Sequence, residues 1–571
     1  MKIIKKIINS IKKIGIKGTI IKIVNRKKQI EEQLKREEQY KIWMKNNNPS
    51  FEILEQQRKT RFEYEPKISI LVPMYNTPYN FFKELIECLI NQTYSNWEFC
   101  LADGSENQDE KLQEIIQSDK RIKYKFLKEN KGIAGNTNEC IKMATGEYIA
   151  LFDHDDLLPQ NSLFEIVKAV NENPNIEFIY TDEDKISMKD GQRFDPHFKP
   201  DFSIDFLRAN NYICHFSVFK KELMDKLEGE RSEYDGAQDF DLILRMSEIV
   251  KPKNILHIPK ILYHWRAHPN STAQSDFDAK PYAFEAGIKA IEDHLKRMNL
   301  PAVVENGESL GTYRIHYKIK GNQRVSIIIR NAGEKKELKR CIKSISRRTD
   351  YNNYEIMYVQ SSNIKELNKS IQNCTGEYVI LLDSTVKIIS NNWIEEMLGF
   401  AQRNDVGAVG VRIYYPNNRI KHAGIILGGD KIGFELFRGL KRYVHGYFAR
   451  EGTIQNFSAV SEDCMMFKKN DYDEIGFFDE KMENVSNIDF CLKLRDNNKL
   501  IVYNPFVEVV NYNIKHKEYY QTKDLYIKKF LEQWENYYKI CDPYYNRNFS
   551  LNSYNYNIEI KNKIKDNNVN T

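Results

Sequence analysis

The 571-residue sequence contains no run of the ~18 consecutive apolar residues that a membrane-spanning helix needs, so no bilayer-spanning segment is expected. Paired cysteines are missing as well. The nine cysteines, at 88, 100, 140, 214, 341, 374, 464, 491 and 541, are odd in number, scattered and free of any CxxC spacing. This usage fits a reducing compartment and excludes a disulfide framework and a zinc ribbon. Acidic residues are absent from residues 1–30, which hold ten lysines or arginines. Glycine is absent from the first strand–helix connection, Pro73-Met74-Tyr75-Asn76-Thr77-Pro78. A glycine-rich phosphate cradle is therefore lacking there, which argues against dinucleotide-dependent dehydrogenases, P-loop enzymes and sugar nucleotidyltransferases.

What is present describes an ordinary folded chain. Apolar residues make up 41% and charged residues 29%, and the length exceeds what one core fills, so at least two domains are expected. The net charge of +6 conceals an asymmetry: the basic leader contributes +10 and the remainder carries −4. Ile3, Ile4, Ile7, Ile8, Ile11 and Ile14 recur at helical spacing with lysines mostly on the other face. Such a helix suits the surface of an anionic membrane, where each basic residue contributes about 1 kcal/mol. Packing of the isoleucine face on the next domain is the competing reading. With −4 beyond the leader and no basic-aromatic groove, no nucleic-acid partner is expected.

An internal repeat organises the rest. KISILVPMYN at 67–76 resembles RVSIIIRN at 324–331, and ATGEYIALFDHDD at 144–156 resembles CTGEYVILLDSTV at 374–386. Strands alternating with helices of this length predict βαβ units and a mostly parallel sheet in each copy. The expected divisions are a helical leader at 1–60, α/β domains at 66–300 and 322–545, and a polar tail at 546–571.

In the first copy, Asp153-His154-Asp155-Asp156 follows directly on an apolar strand, where open α/β sheets bind ligands. Carboxylates crowded in this way repel one another, and a hard divalent cation, Mg²⁺ or Mn²⁺, relieves the repulsion and binds diphosphates. The same residues also suit an Asp-rich turn that caps a helix.

With ISILVPMYN, NKGIAGNTN, GEYIALFDHDDLLP, YTDEDK, FDPHFKPDFS, DGAQDFDLILR and HIPKILYHWRAHPNSTA, residues 67–273 resemble a family 2 glycosyltransferase of GT-A fold, in a subgroup of bacterial surface-polysaccharide biosynthesis. The resemblance implies two tandem GT-A, Rossmann-like α/β domains. It implies Asp239 as the base that deprotonates an acceptor hydroxyl. Asp153 and Asp155, with His264 or its competitor His268, would hold the metal or diphosphate. Pro73, Tyr75, Asp103, Gly132, Asn138 and Asp153 would line the donor pocket, and Asp182, Glu183 and Asp184 the acceptor side. The chemistry agrees, since sugar transfer needs a base at the acceptor and charge stabilisation on the departing diphosphate.

In the second copy, Asp155 and Asp156 fall opposite Thr385 and Val386, Asp103 opposite Gln360, Asp239 opposite Asn487 and His264 opposite Asn511. That copy is expected to be a degenerate, non-catalytic domain. The reading for the whole chain is an inverting, metal-dependent hexosyltransferase-like enzyme using a UDP- or dTDP-linked sugar. It would extend a lipid-linked surface glycan from the cytoplasmic side, held peripherally at the inner membrane face by residues 1–30. The alternatives are a non-catalytic glycan-binding scaffold and a bifunctional transferase with a second active domain.

Overall fold

A computed structural model describes residues 30–267, 281–330, 334–360, 363–429, 431–514, 519–520 and 525–560. The isoleucine-rich helix expected before residue 30, His268 and the last residues of the tail lie outside this set. Two compact units emerge, one of Asn47–Lys318 with Pro543–Asn548, the other built on Ile319–Asp542 with the described residues 30–46 and 549–560.

The first unit contains an eight-stranded sheet: β1 (Ile68–Met74), β2 (Trp97–Asp103), β3 (Ile122–Phe126), β4 (Tyr148–Leu151), β5 (Phe178–Ser187), β6 (Arg193–His197), β7 (Ser217–Lys220) and β8 (Ile255–Ala267). Their order is β3-β2-β1-β4-β7-β5-β6, with β8 also paired to β5. β1 runs parallel to β2 and β4, as the βαβ pattern predicts. β7 breaks that pattern by running antiparallel to β4 and β5, so the sheet is mixed. β1 is apolar and almost wholly buried because helices cover both faces of such a sheet. The helix Tyr79–Ile90 buries Phe82, Leu85, Ile86 and Leu89, one stripe at helical spacing, in the core shared with β1 and β2.

The second unit repeats this order. Tyr354–Tyr358, Val325–Arg330, Tyr378–Asp383, Cys464–Lys468, Val406–Tyr414 and Leu500–Asn511 lie side by side, in the places of β2, β1, β4, β7, β5 and β8. The senses of pairing match as well: Val325–Arg330 is parallel to both neighbours, and Cys464–Lys468 is antiparallel to both of its own. The chain thus carries two tandem α/β folds with one strand order.

Part of the repeated sequence is a structural fastening. Glu98 accepts hydrogen bonds from the Ser69 hydroxyl (2.7 Å) and from the amide and hydroxyl of Thr145 (2.5 and 2.8 Å), and Lys123 lies 2.9 Å away. Glu355 repeats this with Ser326 (2.6 Å) and Thr375 (2.7 and 2.8 Å). In each copy the following glycine, Gly146 or Gly376, donates its amide to the serine, so close that a Cβ would come within 2.6 or 2.5 Å of backbone. Burial pushes the Glu98 carboxyl up, but Lys123, Thr145 and Ser69 outweigh it and hold the group at about 2. Glu355 is held at about 2 in the same way by Ser326 and Thr375. A carboxyl lowered on folding stabilises above its ordinary value of 4.5, and that stability is lost as pH falls toward 2. In urea unfolding, Glu98→Gln should cost its unit about 3 kcal/mol at pH 7 and almost nothing at pH 2. A cost independent of pH would contradict the fastening.

Two expected boundaries shift. The leader of 1–60 does not act as one piece. Residues 30–47 form a helix that buries Tyr40 and Trp43 in the second unit and accepts at Gln39 from the Ile558 amide. The next helix, Phe51–Lys59, belongs to the first unit and buries Gln57 against Thr93. Residues 546–560 of the expected tail are packed rather than frayed, because aromatic rings interrupt the asparagines: Phe549 and Tyr556 are buried, and Tyr556 stacks on Tyr447 at 5.2 Å.

Candidate active site

Beyond the carboxyl ends of β1 and β4 the first unit opens a cavity of about 1000 Å³. Pro73–Asn76 after β1, Leu151 and Asp153–Asp155 around the end of β4, and Cys214 and His215 before β7 line it. Glu230, Asp235, Gly236, Gln238 and Asp239 form another wall, where the chain enters the helix Gln238–Ile249. The gap between two strand ends that the topology predicts as a binding crevice is therefore present.

Ligand atoms of Asp153, Asp156 and His215 lie within 4.8 Å of one another. Asp156 is buried and accepts from the Tyr263 hydroxyl (2.5 Å) and the Arg266 amide (2.7 Å). His215 stacks on the Tyr263 ring at 4.6 Å. The loop carrying His215 is fixed from beneath by Lys199, which is fully buried. The Lys199 ammonium donates to the carbonyls of Ile213 (2.7 Å) and His215 and pairs with Glu183 at 3.1 Å.

Electrostatics mark the cluster as overcharged. Partial burial raises the Asp153 carboxyl, with His215 opposing and Asp155 adding to the rise. Burial, then Asp155 and Asp153, push Asp156 well above the carboxylate range. Two such carboxylates beside an imidazole fit a divalent cation of the Mg²⁺ or Mn²⁺ kind, whose charge would return both to the ionised form.

Asp239 stands in the first turn of its helix and lines the same cavity. Its Oδ2 accepts from Asn211 Nδ2 (2.9 Å) and from the Cys214 thiol (3.4 Å). Among the described residues no hydrogen bond engages its Oδ1.

The expected donor-pocket residues divide. Pro73, Tyr75 and Asp153 line the cavity. Gly132 opens the helix Gly132–Met143 at a φ of +77°, and a Cβ there would strike Asp235. Asn138 sits one layer back and holds the backbone of Glu230. Asp103 is buried and occupied by the Ser105 amide and the Tyr124 hydroxyl, both at 2.9 Å. Asp155 is on the cavity wall.

His264 is engaged elsewhere than the cation cluster: Nδ1 meets Asp184 at 2.5 Å and Nε2 meets Arg193 at 3.2 Å. The three acidic residues expected on the acceptor side are buried in ionic networks. Asp182 bonds His257 (2.8 Å), the Lys199 amide (2.8 Å) and Asn546 (2.9 Å); Glu183 bonds His197 and Lys199; Asp184 bonds His264. None of the three reaches the cavity lining. Sequence reasoning missed His215, Asn211 and Glu230, which no fixed spacing links to the acidic motif. Only the pairing of β7 with β4 brings His215 beside Asp153.

The profile of the family described as Glycosyl transferase family 2 matches residues 69–228. Those residues are a family 2 glycosyltransferase domain. This chain is 35% identical over 541 residues to a protein described as uncharacterized, y4gI of Sinorhizobium fredii, covering 86% of this chain and 58% of that one. It is 27% identical over 490 residues to the O-antigen biosynthesis protein RfbC of Myxococcus xanthus, covering 80% and 38%. The chain thus spans from about two-fifths to three-fifths of the length of these relatives. Among solved structures, Staphylococcus aureus TarS 1–349 aligns at 17% identity with a TM-score of 0.32, covering 40% of this chain and 65% of that one.

The second unit can be set against the transferase domain by strand register. Tyr148 pairs with Lys220 and Tyr378 with Lys468, so Asp153 matches Asp383, Asp156 matches Val386 and His215 matches Asp463. One carboxylate has become Val386 and the imidazole has become Asp463, so two carboxylates remain without a histidine. A lysine has come in instead, with Lys421 Nζ 2.9 Å from Asp463. Two expected matches change. Leu157 bridges His264 where Lys387 pairs with Val510, so Val510, not Asn511, stands for His264. The shared Asp-Phe and Leu-Arg pairs make Asp489, not Asn487, the counterpart of Asp239. Asp489 is buried and bound to Lys493 (2.7 Å) and the Trp534 indole (3.0 Å), whereas Asp239 faces a cavity.

Proposed function

We propose that the protein transfers a sugar from a nucleotide-sugar donor to a growing bacterial surface glycan, by a metal-dependent single displacement that inverts the anomeric centre. The observation that carries this reading is one cavity lined by an accessible Asp239 and by Asp153 and His215, whose cluster the buried Asp156 completes. Asp239 takes the proton of the acceptor hydroxyl as that oxygen bonds to the anomeric carbon. The bond from that carbon to the donor diphosphate breaks, and the nucleoside diphosphate leaves with the electron pair. A divalent cation held by Asp153, Asp156 and His215 would supply Lewis-acid stabilisation of the diphosphate charge. Asn211 and Cys214 hold the base in place.

Surface-glycan synthesis is supported by the printed name of the RfbC relative, and a UDP- or dTDP-linked sugar is the proposed donor. We further propose that 322–545 is a non-catalytic partner domain, since Lys421 supplies there the positive charge that a cation would bring. Among the described residues no helix is long and apolar enough to cross a membrane. Residues 1–30, with ten basic and no acidic side chains, would hold the protein against an anionic membrane, near a lipid-linked acceptor at its inner face.

The test is a panel of nucleotide sugars with Mn²⁺ or Mg²⁺, scored for released nucleoside diphosphate and for the anomeric configuration of the product. Release with one donor, lost in chelator and restored by the metal, is expected. Absence of release and of any donor-induced thermal shift across the panel would overturn the reading. Removal of residues 1–30 should leave transfer to a soluble acceptor intact and end sedimentation with anionic vesicles; retained sedimentation would refute the membrane role.

A further inference from the structure

We propose that Glu230 reads a ring hydroxyl of the sugar being transferred, and so selects which nucleotide sugar the domain accepts. The inference rests on the transfer reading above and adds a residue that no motif pointed to. Glu230 lines the cavity, yet only 6% of it is exposed, and its Oε2 has no hydrogen-bond partner. Thr137 bonds the carboxyl, but a buried carboxyl oxygen left without a partner is costly, and a ligand group that bonds it removes the cost.

The position is built rather than accidental. The Glu230 amide donates to Asn138 Oδ1 (2.9 Å), and its carbonyl accepts from Asn138 Nδ2 (2.8 Å). The preceding Gly229 has a φ of +77°, and a Cβ there would lie 2.2 Å from the same Asn138 oxygen. Two bonds and one glycine thus set the glutamate against the cavity.

Its surroundings indicate the ligand. Asn211 Oδ1, on the same lining, is also buried without a partner, while its Nδ2 holds Asp239. A carboxyl and an amide oxygen make a polar pair suited to a hydroxyl, which both donates and accepts. Glu230 shares the cavity wall with Asp239, Asp153 and His215, and the charges of Asp239 and then Asp153 act on it. The transferred anomeric carbon must sit between the base and the diphosphate, which places its sugar ring, not the nucleotide, beside Glu230.

The full-length protein, with Mn²⁺, is titrated with UDP, GDP and dTDP and with hexose conjugates of each, alongside Glu230→Leu and Glu230→Gln. For the conjugate that the parent protein binds, Glu230→Leu should weaken binding at least tenfold and leave the matching free diphosphate within twofold. Glu230→Gln, which keeps polar atoms in place, should stay within threefold of the parent. A conjugate lacking the hydroxyl that Glu230 contacts should bind the parent at least tenfold less well and Glu230→Leu no worse than the intact conjugate. Equal loss of free diphosphate and conjugate, or loss of neither, overturns the proposal. So does a parent protein that binds every singly deoxygenated conjugate as tightly as the intact one, a result that needs no variant to fold. A parent that binds no nucleotide sugar at all overturns instead the transfer reading on which this rests.

Discussion

Asp239→Asn is expected to lower the turnover of sugar transfer about a thousandfold while leaving donor affinity within a few-fold. General bases contribute about 10²–10⁴ to such steps, and asparagine cannot take the acceptor proton. The substitution is close to isosteric, and its side-chain oxygen still accepts from Asn211 and Cys214, so the wall keeps its shape. Removing a carboxylate from the first turn of a helix costs about 0.3–1 kcal/mol, too little to unfold the unit. Single-turnover transfer and calorimetric donor binding, measured on one preparation, separate the two effects. Turnover within tenfold of the parent would remove Asp239 from the role of base. Donor binding lost in parallel with turnover would make it a binding group instead.

The second large effect lies beneath the site. Lys199→Met should destabilise the first unit by about 3–5 kcal/mol, the usual result of deleting one partner of a buried charged pair. Lys199 is wholly buried; without it the Ile213 and His215 carbonyls lose their donor, and Glu183 keeps only His197. The loop that presents His215 would then be released, so the affinity for Mn²⁺ should fall by more than tenfold. Urea unfolding and Mn²⁺ titration check the two parts. Adding Glu183→Leu should recover stability, since the orphaned carboxylate goes with it, and should leave metal affinity low. A single variant with unchanged unfolding would show that Lys199 is not the anchor of this loop.

The sequence carried the fold further than it carried the site. Apolar strands ending in turns, repeated at 67–76 and 324–331, foretold both sheets, because burial of a central strand on two faces leaves a readable run. The antiparallel β7 was not legible: its four residues look like any buried strand, and direction is set by tertiary pairing. Within the site, Asp153 and Asp155 were visible because acidic groups crowded at a strand end rarely serve packing alone, whereas Asp239, in the first turn of a helix, was pointed to by the family resemblance. His215 was not, since its partner lies some 60 residues earlier and the contact exists only through a sheet ladder. His264 misled in the opposite sense. An imidazole beside an aromatic residue fits a ligand and a paired core group equally well, and here the ring lies between Asp184 and Arg193. The TGEY segments, the clearest match between the copies, proved to be fastenings for Glu98 and Glu355, which explains why they persist where Asp156 has become Val386.

Asn546 has a consequence for how the protein is made. Its amide bonds the fully buried Asp182 carboxylate and the Lys199 carbonyl, and Pro543–Asn548 belongs to the first unit although the rest of that unit ends at Lys318. During synthesis at roughly 5–20 residues per second, the roughly 230 residues between Lys318 and Asn546 take on the order of 10–45 s to add. For that interval the nascent transferase unit holds Asp182 with the His257 ring and the Lys199 amide alone. The ribosome therefore finishes the second sheet before the first unit receives its last buried hydrogen bond.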